Sequence, residues 1–178
     1  MWLSKEPTPL EVFPGVTSHP IALLGAGESS DAYHMSSPEP HGKGAEGAIR
    51  RALSNANLTP DEIDYLNLHG TGTPQNDAAE CEAVYRVFGD KVLVSSTKPL
   101  TGHTLGAAGI TDALLAILTL CSPVTLPAQL RDSTKIDPQL ATVNWVKKAT
   151  RVAPKRVMSN NFAFGGNNTS LIFGSIQD

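Results

Sequence analysis

The pattern of apolar and polar positions sharpens at Ile21. Ahead of it, residues 1–20 hold four prolines and show no periodicity, and they read as a linker or N-terminal remnant. Ile21-Ala22-Leu23-Leu24 is a short apolar run ended by Gly25, which predicts a buried strand. Residues 29–44 are polar and turn-rich and are expected to form a loop. Ala45, Ala48, Ile49, Ala52, Leu53 and Ala56 then recur at helical spacing, with Arg50 and Arg51 off the stripe, so this helix is amphipathic. Thr59-Pro60-Asp61-Glu62 has capping-box spacing with proline at the first helical position. Ile63 to Leu68 alternates as a strand does and runs into His69-Gly70-Thr71-Gly72-Thr73-Pro74. A second helix is predicted from Gln75 to Phe88, stopped by Gly89.

Lys91 to Thr97 is rich in β-branched residues and predicts a further strand, followed by a turn at Gly102-His103 and an Ala/Leu-rich helix over 104–121. Val124–Leu126 and Val143–Val146 are short strand candidates. Arg156–Phe162 and Thr169–Ile176 flank Gly165-Gly166-Asn167-Asn168, which predicts a terminal hairpin. The order βαβαβα followed by ββ argues for a layered α/β domain with a mostly parallel central sheet and helices on its faces.

Composition narrows the class. Hydrophobic residues make up 40% of the 178 and charged residues 17%, enough apolar material for a packed core. Fourteen basic against 17 acidic residues give a net charge of −3, which is no electrostatic footprint for nucleic acid. The longest apolar stretch, Leu105 to Cys121, carries Asp112, Gly106 and Gly109 and stops at Ser122-Pro123, so it reads as a buried helix and no membrane partner is expected. Two cysteines, Cys81 and Cys121, make no disulfide framework, and a reducing, cytoplasmic setting is the default expectation.

Parallel strands deliver their carboxyl ends to one rim, where open α/β sheets bind ligands. His69 follows one predicted strand, Lys98 and His103 follow the next, and Asn160 to Gly166 end a third. Glycines let the backbone turn tightly and a substrate approach, threonines supply hydroxyls, and a histidine ahead of a helix start is favoured in its neutral form. Asp77 and Glu80 share a helix face with Val84 and Val87 and point inward, so they need partners; Lys98 and the histidines are the natural ones. His19, His34 and His41 read as solvated or structural. Cys81 and Cys121 read as packing residues. Ser95-Ser96 lacks a G-x-S-x-G elbow, Gly25-Ala26-Gly27 lacks the third glycine of a dinucleotide fingerprint, and the five histidines show no metal-ligand spacing, so no metal is expected.

Five segments together resemble a known family. They are His69–Thr73, Asn76–Glu80, Ser95–Lys98, Thr101–Gly109 and Ser159–Asn168. In this order and spacing they closely resemble the C-terminal half of elongating β-ketoacyl–acyl carrier protein synthases, over residues 21–178 taken as one domain, and Asp31-Ala32-Tyr33-His34-Met35 resembles another loop of that half. The resemblance implies a thiolase-like half with a mixed, mostly parallel five-stranded sheet. It also implies acyltransferase chemistry, a decarboxylative Claisen condensation in fatty acid or polyketide-type synthesis. No cofactor is implied; the substrates ride on the phosphopantetheine arm of acyl carrier protein, which is the implied partner.

Position by position, His69 and His103 match the two active-site histidines, and Lys98 matches a lysine that orders the second of them. Asp77 and Glu80 match supporting carboxylates, with Glu80 near Lys98. Thr71 and Thr73 match hydroxyls that contact the phosphopantetheine arm. Phe164 matches a gating residue whose N–H also serves the oxyanion hole; Phe162 and the Asp31 loop match neighbouring gate elements. The family's nucleophilic cysteine belongs to the N-terminal half, and no residue here takes that place. The chain is therefore expected to be inactive alone and to need an N-terminal half or to self-associate; a shortened chain, a split-gene subunit and a remnant all fit. The alternatives are a chain-length-factor-like subunit and a non-catalytic module that binds acyl carrier protein or a synthase.

Overall fold

The computed structural model describes residues 20–121, 124–126, 128–129 and 136–175. The linker expected over residues 1–20 therefore lies, but for Pro20, outside the described residues. In chain order the elements are strand β1 (Ile21–Ser30), helix α1 (Lys43–Ala56), β2 (Tyr65–Asn67), α2 (Pro74–Phe88), β3 (Leu93–Ser95), a one-turn helix α3 (Lys98–Thr101), α4 (Ala108–Leu120), β4 (Val124–Leu126), β5 (Asn144–Trp145), β6 (Thr150–Val152), β7 (Arg156–Ala163) and β8 (Asn167–Ser175). The capping box at Thr59 heads a single 3-10 turn, Pro60–Glu62, in which Glu62 Oε2 accepts the Thr59 N–H at 2.9 Å.

Six strands form the main sheet in the order β1-β8-β7-β2-β3-β5. β8 is antiparallel to both of its neighbours, while β7, β2, β3 and β5 pair in parallel. Five strands thus run one way and only β8 runs against them. The sixth strand beyond the expected five is an edge: β5 is two residues long. β4 and β6 form a separate antiparallel pair, and the three residues of β6 are too few to carry a period.

Alternation along the strands divides two cores. Leu66, Met158 and Ile172 pack with Ile49 and Leu53 of α1 and Val84 of α2 on one face. Their neighbours Tyr65, Val157 and Phe173 pack with Ala113 and Ala116 of α4 on the other. The result is helix, sheet, helix, the layering expected when both faces of a sheet are covered. Fully burying one such aliphatic side chain contributes about 1.5–3 kcal/mol. No helix among the described residues is long and apolar enough to cross a membrane.

β1 runs six residues beyond the strand expected from Ile21-Ala22-Leu23-Leu24, and the expected loop shortens to begin at Asp31. Gly25 and Gly27 do not end it; they let α1 lie directly on the strand. A Cβ at Gly25 would sit 2.8 Å from Ala56 Cβ, and one at Gly27 would sit 2.9 Å from Arg51 Cβ and closer still to the Ala48 carbonyl oxygen. The helix expected over 104–121 begins later, at Ala108, after a 3-10 turn at Leu105–Ala107.

The close approach has a measurable consequence. Gly27→Ala is expected to lower stability by about 3 kcal/mol, because the neighbouring atoms are helix backbone and cannot step aside. Gly47→Ala, on the same helix with nothing nearer than Ser29 Cβ at 3.8 Å, is expected to raise it by about 0.5–1 kcal/mol. Urea denaturation of both variants checks the contrast; equal effects would contradict it.

Candidate active site on the carboxyl rim of the sheet

Because β1, β2, β3 and β7 point the same way, their ends deliver Asp31, His69, Lys98 with His103, and Phe164 to one rim. β8 starts from it with Asn167 and Asn168. The histidine rings meet edge to face, with centroids 5.4 Å apart and planes at 87°. His69 is buried and His103 exposed. The Phe162 ring lies 5.9 Å from that of His69. Beside them a cavity of about 380 Å³ is lined by Gly70, Thr71, Asp77, Glu80, Lys98 and His103, among others.

Lys98 is the centre of charge. Its side chain is 5% exposed, and its Nζ donates to Asp112 Oδ2 at 2.6 Å and meets His69 Nδ1 at 3.5 Å. Asp112 also accepts from Thr97 Oγ1 at 3.1 Å. This corrects two expectations drawn from the sequence. Lys98 contacts His69, the first histidine, and its carboxylate partner is Asp112 of α4, not Glu80. Glu80 is committed elsewhere. Its Oε1 accepts the His69 N–H at 2.8 Å and Asn160 Nδ2 at 3.3 Å, and its Oε2 accepts the Gly70 N–H at 2.8 Å. Glu80 therefore fixes the His69 turn through its backbone. Asp77 is half-buried and accepts from the Gly72 N–H and Asn76 Nδ2, both at 3.2 Å.

Burial pushes the His69 imidazole down to about 3, with the Lys98 charge and His103 acting in the same direction and Asn161 opposing. The ring is thus neutral at physiological pH. An ammonium can only donate, so Nδ1 is the acceptor and Nε2 carries the ring hydrogen. Burial raises Glu80 to about 7, against the hydrogen bonds it accepts. The two groups act oppositely on stability. Between pH 3 and 6.5 the unfolded chain binds the His69 proton that the folded chain refuses, so stability rises with pH and is lost as pH falls. Between 4.5 and 7 the folded chain holds a proton on Glu80 that the unfolded chain has released, so stability falls as pH rises.

The other expected site residues divide. Thr71 and Thr73 approach each other at 2.9 Å between hydroxyl oxygens. Asp31 is a fastening point: its N–H donates to Gly166 O at 2.8 Å, and its carboxylate accepts from Asn168 Nδ2 at 2.7 Å and the Glu39 N–H at 3.0 Å. Phe164 is 76% exposed. Cys81 is buried in the α1/α2 core and its thiol is pushed well up by burial; Cys121 is half-buried and likewise raised. Neither is poised as a thiolate. His34 and His41 are exposed; His19 lies outside the described residues. Asp112 escaped the sequence reading. Its signal was a carboxylate inside an apolar helix, which a buried setting allows only with a partner.

A histidine pair beside a buried lysine thus sits on the rim of a mostly parallel sheet, in a thiolase-like α/β half. Residues 21–130 match the family described as Beta-ketoacyl synthase, C-terminal domain, and the chain belongs to it. It is 40% identical over 160 residues to 3-oxoacyl-[acyl-carrier-protein] synthase 2 of Vibrio harveyi, covering 88% of this chain and 38% of that protein. To the mitochondrial 3-oxoacyl-[acyl-carrier-protein] synthase of Arabidopsis thaliana it is 41% identical over 162 residues, covering 86% and 34%. Among solved structures, a ketosynthase (ApeO) in complex with its chain length factor (ApeC) from Xenorhabdus doucetiae matches with a TM-score of 0.85 and 52% identity, covering 88% of this chain and 39% of that one. A β-ketoacyl synthase from Burkholderia phymatum STM815 matches at 0.80 and 38%, covering 87% and 37%. The chain spans little more than a third of the length of these relatives.

Removing Asp112 leaves the Lys98 ammonium buried without its counter-charge. Asp112→Ala is expected to cost about 3–5 kcal/mol, while Lys98→Met with Asp112→Leu together restores most of that loss. Chemical denaturation of the two variants measures it; a double variant as unstable as the single one would contradict the pairing.

Proposed function

We propose that this chain supplies the malonyl-activating half of a 3-oxoacyl–acyl carrier protein synthase. The carrying observation is the edge-to-face pair His69–His103, with His69 held neutral against Lys98. In the proposed reaction the bond between the malonyl Cα and its carboxylate breaks and carbon dioxide leaves. The electron pair passes into an enolate, whose oxygen receives hydrogen bonds from the two histidines. The enolate carbon then bonds to the carbonyl of an acyl thioester, and the thiolate leaves. Neutral imidazole suits this step: it donates a hydrogen bond to developing negative charge but is too weak an acid to protonate and quench the carbanion. Thr71 and Thr73 take the role of contacts for the phosphopantetheine arm, and Phe162, Phe164 and Asp31 that of a gate.

The nucleophilic cysteine of this scheme is not in the chain, since Cys81 and Cys121 are both held away from the thiolate form by burial. The proposal places it in the length of the relatives that this chain does not span. α4 supports that reading. Its inner face is buried, yet Ile110, Leu114 and Leu118 form an exposed stripe at i, i+4, i+8, with Leu105 71% exposed ahead of it. A stripe of this kind calls for a cover, either an N-terminal counterpart or a second copy. Acyl carrier protein is the proposed carrier partner and a reducing cytoplasm the proposed setting. A chain-length-factor-like or purely binding role leaves the buried Lys98–Asp112–His69 cluster without a use.

The chain alone is expected to give no β-ketoacyl product and at most weak release of carbon dioxide from malonyl carrier protein. Adding the N-terminal portion of a relative restores condensation, and His103→Ala then lowers the rate about 10²–10³-fold, the scale of losing one oxyanion donor. Carbon dioxide and β-ketoacyl product are assayed separately. Robust product from the chain alone, surviving Cys81→Ala with Cys121→Ala, would overturn the proposal.

A further inference from the structure

The ladder between β2 and β3 ends at Asn67 and Ser95, with one further rung from the Leu68 N–H to Ser95 O at 2.9 Å. Beyond it the two chains part, one carrying His69 and the other Lys98 and His103. Ser96, 4% exposed, bridges the gap at this point. Its Oγ donates to Gly70 O at 3.1 Å and accepts the Lys98 N–H at 3.2 Å. A carbonyl only accepts and an amide N–H only donates, so one hydroxyl orientation serves both. The Ser96 N–H in turn donates to Gln129 Oε1 at 2.6 Å, and the Gln129 N–H to Val146 O at 2.8 Å, which ties Ser96 to the chain leaving β5. Gly70 is pressed against it: its φ is +46°, and a Cβ there would lie 2.5 Å from Ser96 Cβ and 2.7 Å from Ser96 Oγ.

We infer that Ser96 is a positioning residue that sets the separation of the two histidine-bearing turns, and through them the geometry of the His69–His103 pair. A second polar link between the turns, Lys98 Nζ to His69 Nδ1, is longer and hangs on a side chain with four rotatable bonds. Ser96 has one, and it grips backbone on both sides, so it loses less conformational freedom in holding the geometry. Tyr65 Oη and Ser95 Oγ, 2.9 Å apart one residue earlier on β3, provide an internal comparison. That bond is equally buried but lies below the ladder's end and spans no turn.

The consequence for catalysis rests on the proposed enolate role, whereas the geometric claim does not. The test is the nuclear Overhauser effect between the two imidazole rings in the full 178-residue chain, labelled at histidine. Ser96→Ala is expected to reduce it at least about threefold, while Ser96→Thr, which keeps the hydroxyl, and Ser95→Ala both retain it. An unchanged effect in Ser96→Ala, or an equal loss in Ser95→Ala, would overturn the inference. If Ser96→Ala does not fold, Gly70→Ala takes its place: it keeps the hydroxyl but forces the turns apart, and a folded Gly70→Ala with the wild-type effect would overturn the inference. In a synthase reconstituted with an N-terminal portion, Ser96→Ala should lower kcat for carbon dioxide release with KM little changed. No release from the unsubstituted reconstituted protein would sink the enolate reading while leaving the ring measurement to decide this one.

Discussion

A buried ammonium is the constraint on which the site depends. Lys98 is held almost out of contact with water, and a charge there survives only against a counter-charge and filled hydrogen bonds. Asp112 provides the counter-charge from α4. Thr97 takes the second Asp112 oxygen, and the remaining reach of Lys98 is to His69 Nδ1. One consequence is electrical: a cation against one ring nitrogen opposes a second proton on that ring. The other is geometric. α4, β3 and the His69 turn cannot shift independently without breaking an ion pair in a dry environment.

Topology makes this economical. Five strands run one way, so residues separated by more than a hundred positions, from Asp31 to Asn168, arrive at one rim without a long loop. The single reversed strand, β8, returns the chain from that rim, and the turn into it fastens the Asp31 segment: Asn168 holds Asp31, and Gly166 O receives the Asp31 N–H. Glu80 fixes the His69 turn by its backbone from α2, while Asp112 reaches the same cluster from the opposite helical layer. His69 is thus held from both faces of the sheet.

Most of the elements were legible because burial leaves a period in the chain. The stripe at Ala45, Ile49, Ala52 and Leu53 marks α1, and the alternation from Ile63 to Leu68 marks β2. What was not legible depended on a neighbour. Gly25 and Gly27 look like strand breakers until α1 lies on them, and the one-turn α3 is too short to carry a period. β6 exists through pairing with β4. In the site, the strand-end positions of His69, Lys98 and His103 followed from the order of elements alone. The pairings within it did not. Glu80 and Asp112 are both buried carboxylates, and only the packing of α2 and α4 on opposite faces decides which one meets the lysine.

The central claim is that burial, reinforced by the Lys98 charge, holds His69 neutral, with the hydrogen on Nε2. The ring ¹⁵N shifts of His69, followed from neutral pH downward in the full chain, test it most directly. The account predicts an unprotonated Nδ1 and a protonated Nε2, with no second proton taken up until the pH approaches about 3. A ring that titrates near 6.5, or that carries its hydrogen on Nδ1 at neutral pH, would contradict it.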